Sequence, residues 1–169
     1  MRFWFDTEFI EDGETIDLIS IGIVAEDGRE FYAINAECDY NQANDWVREN
    51  VLPNLKAYTE NYLNRVQIRD AVLSFIGTEK PEIWAYYADY DWVVLCQLFG
   101  TMMDLPKGWP MYCRDVQQLC DSLGNPTLPP QRDEHNALAD AKWTKQAWEF
   151  LTALSSDDAP LPAPTKVIA

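Results

Sequence analysis

The sequence predicts an α/β fold, a mixed five-stranded sheet flanked by helices, on three observations. The first 36 residues contain three apolar, β-branched or aromatic runs separated by turn residues. Beyond residue 41 the apolar period becomes helical, and strand-like and helical stretches then alternate. With 169 residues, 47% of them hydrophobic and 13% aromatic, the chain can bury one substantial core around such a sheet.

Residues 2–9 (RFWFDTEF) form an aromatic-rich strand, and residues 16–25 are equally apolar up to the turn at Asp27-Gly28. Residues 29–36 return as the hairpin partner. Trp46, Val47, Val51 and Leu52 mark a short helix before Pro53, and Val66, Ala71, Val72, Phe75 and Ile76 a longer one stopped by Gly77. The sheet resumes at residues 82–88 (EIWAYYA), followed by a helix that Asp89 is expected to cap and that ends near Phe99. Residues 109–113 are a short fifth strand, residues 114–123 a helix stopped by Gly124-Asn125-Pro126, and Asn136 to about Leu154 the last helix. An antiparallel meander thus comes first and β–α units follow. One domain is expected over residues 1–154, and residues 155–169, with Ser-Ser-Asp-Asp and three prolines, read as a disordered tail.

Charge narrows the function. Thirteen basic against 28 acidic residues give −15, which disfavours wrapping a polyphosphate duplex. A small site that grips one strand end stays compatible with it, because bound divalent cations invert the local field. No apolar run approaches the roughly 18–20 residues of a membrane span, and Asp6 stands where a signal peptide would be apolar. The four cysteines form no C-x-x-C pair and there is one histidine, which argues for reduced thiols in the cytoplasm over a zinc cage.

Three short stretches could carry chemistry. Asp6 and Glu8 are two apart on a strand, so both carboxylates project from one face while Phe3, Phe5 and Phe9 point to the other. Adjacent acids repel unless a cation lies between them, and hard cations such as Mg²⁺ or Mn²⁺ take carboxylate oxygens. A solvated strand edge is the ordinary reading of D-x-E alone, weakened here by the aromatic strand around it. Asp91 lies in the first turn of a helix that follows a strand, well placed to face a site at the sheet edge. Two acids favoured by the helix N-terminus would explain Asp89 and Asp91 equally well. His135 and Asp140 are five residues apart, about 140° around a helix, so they meet only if His135 precedes the first turn. The preceding Pro129-Pro130 segment allows that. An imidazole there suits proton abstraction from a bound water, a role worth roughly 10² to 10⁴ in rate. A surface histidine among acids is the plainer alternative.

Taken in order, Phe5-Asp6-Thr7-Glu8-Phe9, Tyr90-Asp91 with Leu95, and His135 with Asp140 resemble the three motifs of the DEDDh 3′-5′ exonucleases, which have an RNase H-like fold. Residues 5–13, Leu18-Ile19-Ser20-Ile21-Gly22 and Ala85-Tyr86-Tyr87-Ala88-Asp89-Tyr90-Asp91 further resemble the bacterial polyadenylate-preferring exoribonucleases. The resemblance implies that Asp6, Glu8, Asp91 and Asp140 hold metal and that His135 is the general base. It implies two Mg²⁺ or Mn²⁺ ions about 3.5–4 Å apart. The implied reaction is stepwise release of nucleoside 5′-monophosphates from adenylate-rich 3′ ends of single-stranded RNA, by a homodimer. The chain departs from the family at Tyr87-Ala88-Asp89, where many members carry an asparagine, and this touches substrate contact more than metal binding.

Base stacking contributes roughly 1–3 kcal/mol per aromatic and needs no basic groove. Phe9, Tyr90 and Trp92 are candidates for it, with Thr7 as a further substrate contact. Trp4 is also near the motifs, but it and Phe9 occupy opposite strand faces, and core packing suits both. A contact to the 2′-hydroxyl near Glu8 or Phe9 would distinguish RNA from DNA. A DNA exonuclease, an oligoribonuclease and a silent nucleic-acid-binding module on the same fold stay open as alternatives.

Overall fold

The computed structural model describes residues 1–78 and 80–156. Its sheet contains β1 (Arg2–Glu11), β2 (Ile16–Ala25), β3 (Glu30–Asn35), β4 (Tyr62–Leu63), β5 (Glu82–Ala85) and β6 (Arg114–Asp115), in the order β4-β3-β2-β1-β5-β6. The helices are α1 (Asp45–Asn50), α2 (Arg65–Ile76), α3 (Asp89–Phe99), α4 (Val116–Ser122) and α5 (Ala137–Ser156). β1, β2 and β3 form the expected antiparallel meander, and β5 joins β1 in parallel.

Two differences enlarge the predicted sheet. Tyr62 and Leu63 pair with β3 in a strand too short to show an alternating pattern. The fifth strand expected at residues 109–113 is irregular instead: Trp109 donates its backbone N–H to Pro106 in a turn, Pro110 has no N–H to give, and pairing with β5 waits for Arg114 and Asp115. β5 stops at Ala85, short of the expected residue 88, because Tyr87 turns left-handed at φ 54°. The short helix before Pro53 continues past it, with Pro53 in the first turn of a 3₁₀ segment at Leu52–Ala57. Of the expected tail, residues 155 and 156 extend α5 and residues 157–169 lie outside the described residues.

Helices cover both faces of the sheet. On one side Phe3, Phe5, Ile21 and Ile23 pack with Ile68, Val72 and Ile76 of α2 and Val94, Leu95 and Leu98 of α3. On the other, α5 runs along two separate apolar clusters. Ile10, Ile19, Tyr32 and Ile34 gather with Val47, Leu55 and Ala137, while Trp4 and Trp84 gather with Val116, Trp143, Ala147 and Leu151. A bulge makes this possible: Glu8 pairs with Ser20 and Phe9 with Leu18, so Ile19 is displaced and Leu18 joins Ile21 on the first side. On the α5 side β1 therefore reads Trp4, Asp6, Glu8, Ile10, with the two acids falling between the two clusters.

Candidate active site

Two elements bring Asp6, Glu8 and Asp140 to that gap, and a third brings Asp91 to the edge of β1 beside it. β1 projects Asp6 and Glu8 from one face, as the period-two spacing predicts. α5 crosses above them, and Asp140 in its first turn completes a group whose ligand oxygens all lie within 4.8 Å of one another. The crossing depends on Gly22, which pairs with Asp6 in the sheet. A Cβ at Gly22 would overlap the carbonyl group of Ala137 and the Cα of Leu138, so only glycine lets the start of α5 rest on the strand.

Asp91 arrives from α3 along the open edge of β1. Pairing between β1 and β5 ends at Trp4, and beyond it the Asp91 Oδ1 accepts both the backbone N–H of Thr7 (2.8 Å) and its hydroxyl (2.6 Å). Thr7 is buried, and its hydroxyl faces Asp91 where a substrate contact was expected. Asp89 is exposed and does not cap α3: Ala88 occupies the N-cap, no side chain closes it, and the Ala88 N–H donates to Asp115. The cap expected of Asp89 fails because helix geometry has already begun at Ala88 (φ −63°, ψ −9°).

His135 lies before the first turn of α5, with Asn136 capping the helix through the Ala139 N–H. The His135 N–H donates to Asp140 Oδ2 at 3.0 Å, so the main chain reaches the cluster. Its imidazole packs edge-on against Trp46, with ring centroids 4.8 Å apart. Both Asp133 and His135 take positive φ, 56° and 67°, a conformation uncommon outside glycine that shapes this loop. The remaining substrate candidates divide. Phe9, on the face of β1 opposite Asp6 and Glu8, and the half-exposed Tyr90 stack in parallel, centroids 5.7 Å apart and 15° between planes. Trp92 packs against the α2–α3 core, and Trp4 is buried among tryptophans.

The electrostatics are those of an uncompensated acid cluster. None of Asp6, Glu8, Asp91 and Asp140 forms an ion pair with lysine or arginine among the described residues. Burial holds the Asp6 carboxyl well above its ordinary range, and Asp91, Glu8 and Asp140 push it further. Burial, then Asp140 and Asp91, raises Glu8 to about 8. Burial raises Asp91 to about 6 against the two Thr7 hydrogen bonds, and raises Asp140 against those from Gln131 and His135. Several buried carboxylates that cannot all ionise alone make a donor set suited to hard divalent cations.

Sequence reading did not single out Gln131, whose Nε2 donates to Asp140 Oδ1 at 2.7 Å, or Asn54, which donates to the His135 carbonyl at 2.8 Å. Neither carries a local signal. Gly22 does carry one, an isolated glycine inside a β-branched strand.

Residues 1–152 match the family described as the 3′-5′ exoribonuclease Rv2179c-like domain. The 3′-5′ exoribonuclease Rv2179c of Mycobacterium tuberculosis strain H37Rv is 47% identical over 164 residues, covering 94% of this chain and 96% of its own. The 3′-5′ exoribonuclease MT2234.1 of the CDC 1551 strain matches to the same extent. Among solved structures, E. coli exonuclease I in complex with a dT13 oligonucleotide superposes with a TM-score of 0.59 at 13% identity, over 90% of this chain and 42% of its own. A second complex of that enzyme, with a 5cy-dT13 oligonucleotide, gives 0.60 at 14% identity over 92% of this chain and 40% of its own. This chain thus spans about two fifths of exonuclease I, and that likeness bears on the fold, which is the RNase H-like one expected.

Proposed function

Since the chain belongs to the family of Rv2179c-like 3′-5′ exoribonuclease domains, we propose that it removes nucleotides stepwise from the 3′ end of single-stranded RNA, adenylate-rich ends by preference, as nucleoside 5′-monophosphates. The observation that carries this is the convergence of Asp6, Glu8 and Asp140 within 4.8 Å, with Asp91 held beside them by Thr7. These four acids, the DEDD set, would hold Mg²⁺ or Mn²⁺, two ions per site. Bound there, the metal would supply Lewis-acid polarisation of the scissile phosphodiester and lower the pKa of the attacking water.

The chain's own residues do the rest. Asp6, Glu8 and Asp140 would set where the cation sits, and Thr7 orients Asp91 through two charge-assisted hydrogen bonds. His135, already tied to Asp140 through its main chain, is the general base once its imidazole leaves Trp46. The Phe9–Tyr90 pair offers an aromatic platform for the terminal base and needs no basic groove in a chain of net charge −15. A grip on one strand end suits that charge.

Described helices include none long and apolar enough to cross a membrane, and all four cysteines are free. We place the enzyme in the cytoplasm on the thiols and infer a homodimer from the family resemblance, which sedimentation velocity reads directly.

The test is release of 5′-monophosphates from oligomers of A, C, G and U and a DNA control, with Mg²⁺, Mn²⁺ or EDTA. Metal-dependent stepwise loss from RNA, fastest on A and abolished by Asp6→Ala, is expected. His135→Ala lowers the rate by roughly 10² to 10⁴ at neutral pH. Equal turnover of DNA would remove the preference for RNA, faster turnover of DNA would make it the substrate, and absence of metal-dependent product from every strand would leave a binding module.

A further inference from the structure

We propose that Gln131 is a positioning residue that holds the Asp140 carboxylate toward Asp6 and Glu8 and so sets the affinity of the acid cluster for a divalent cation. The inference rests on reading that cluster as a metal site.

Asp140 stands in the gap between two apolar clusters with ligand oxygens of Asp6 and Glu8 within 4.8 Å, and once these acids ionise to take a cation they repel Asp140. Left to itself, its side chain would turn away from Glu8 and Asp6 to relieve that repulsion. Both of its oxygens are held instead: Oδ1 accepts from Gln131 Nε2 at 2.7 Å, and Oδ2 accepts from the His135 N–H at 3.0 Å. A carboxylate has about four lone-pair positions, so one hydrogen bond on each oxygen leaves a second position on each for a cation.

The chemistry of the donor decides the outcome. A lysine or arginine at position 131 would hold Asp140 equally well but would cancel a charge the cation requires. An amide donates without adding charge, so the cluster keeps its field. Gln131 is itself anchored from two sides. Trp143 of α5 donates to the Pro129 carbonyl at 2.9 Å, and Asn54 donates to the His135 carbonyl at 2.8 Å, so the loop carrying Gln131 is held against α5 on one side and against the 3₁₀ segment Leu52–Ala57 on the other.

The experiment is Mn²⁺ binding to the full chain without RNA, read as free Mn²⁺ by electron paramagnetic resonance, for wild type, Gln131→Ala, Gln131→Met and Asn54→Ala. Gln131→Met keeps the side chain's bulk and removes its donor, so a loss shared by both Gln131 variants is a loss of the hydrogen bond. Partners around metal ligands contribute roughly 10- to 100-fold to affinity, and a weakening of at least about tenfold is expected for both. Asn54→Ala frees the same loop but leaves the Gln131–Asp140 bond in place, and should bind Mn²⁺ much as wild type does. Wild-type affinity in Gln131→Met overturns the proposal, as does equal weakening by Asn54→Ala, which would reduce the effect to loop loosening. Failure of the wild type to bind Mn²⁺ overturns the metal-site reading itself, and this inference with it.

Discussion

Asp89 and Asp91 occupy the same turn of α3, yet one is exposed and the other is 6% exposed with two hydrogen bonds from Thr7. The difference comes from the open edge of β1, which offers the Thr7 N–H to a carboxylate on the inner side of the helix. Asp91→Asn keeps an acceptor for Thr7 but removes a charge from the cluster. It should lower exonuclease turnover by more than about 100-fold, the upper range for groups that merely support metal ligands, with the fold intact by circular dichroism. Asp89→Asn should leave turnover near wild type. An active Asp91→Asn beside a dead Asp89→Asn would exchange their roles. Thr7 illustrates a limit of local reading: its place between two motif acids suggested substrate contact, while its partner stands 84 positions away.

At the scale of elements, the seat of α5 on β2 decides whether Asp140 reaches Asp6. Gly22 provides that seat by having no Cβ beneath Ala137 and Leu138. The atoms it would meet are backbone, which cannot rotate aside as a side chain can. Gly22→Ala should therefore destabilise the protein by about 1–3 kcal/mol or more, an overpacking penalty, and weaken Mn²⁺ binding as the start of α5 lifts. At about 2–4 °C per kcal/mol for a chain of this size, calorimetry should show a melting temperature lower by several degrees. An unchanged melting temperature would mean α5 can shift over the strand freely. An isolated glycine among Ile21, Ile23 and Val24 signals close backbone approach, whereas the depth of the overlap needed the packed helix to be seen.

For the whole molecule, the acid cluster couples stability to pH and to metal. Glu8 is raised to about 8 from an ordinary 4.5, and Asp91 to about 6 from 3.8. Between those limits the folded state binds more protons than the unfolded state, so stability falls as pH rises. The contribution is complete below about pH 4 and is lost progressively through pH 6 and 8. Exposed Asp12, Asp27, Asp39 and Asp104, held below the ordinary range by local hydrogen bonds, act in the opposite sense at lower pH. In EDTA the melting temperature should thus be highest near pH 5 and decline toward pH 8.5. Mg²⁺ at matched ionic strength should remove most of that decline, since a cation stabilises the ionised cluster it binds. A melting temperature that rises steadily to pH 8 in EDTA would mean that the acids are well solvated.

The order of elements was largely legible in the sequence because it is written in short-range patterns, whereas the candidate acids stood out only through the order of three short motifs and the family they resemble. Period two placed Asp6 and Glu8 on one face, the change of period placed α2 and α5, and Gly77 and Gly124 marked helix ends by local conformation. Contacts between distant segments were decided by the tertiary structure. It removed the cap from Asp89, moved the sheet's last strand to Arg114 and Asp115, and added a two-residue strand at Tyr62. It turned the His135 ring to Trp46, gave the hydroxyl of Thr7 to Asp91, and brought Gln131 to Asp140. Periodicity and capping depend on neighbours within a turn or a strand, which the order of residues specifies directly. The direction of a side chain in the site depends on which segments the packed core holds side by side.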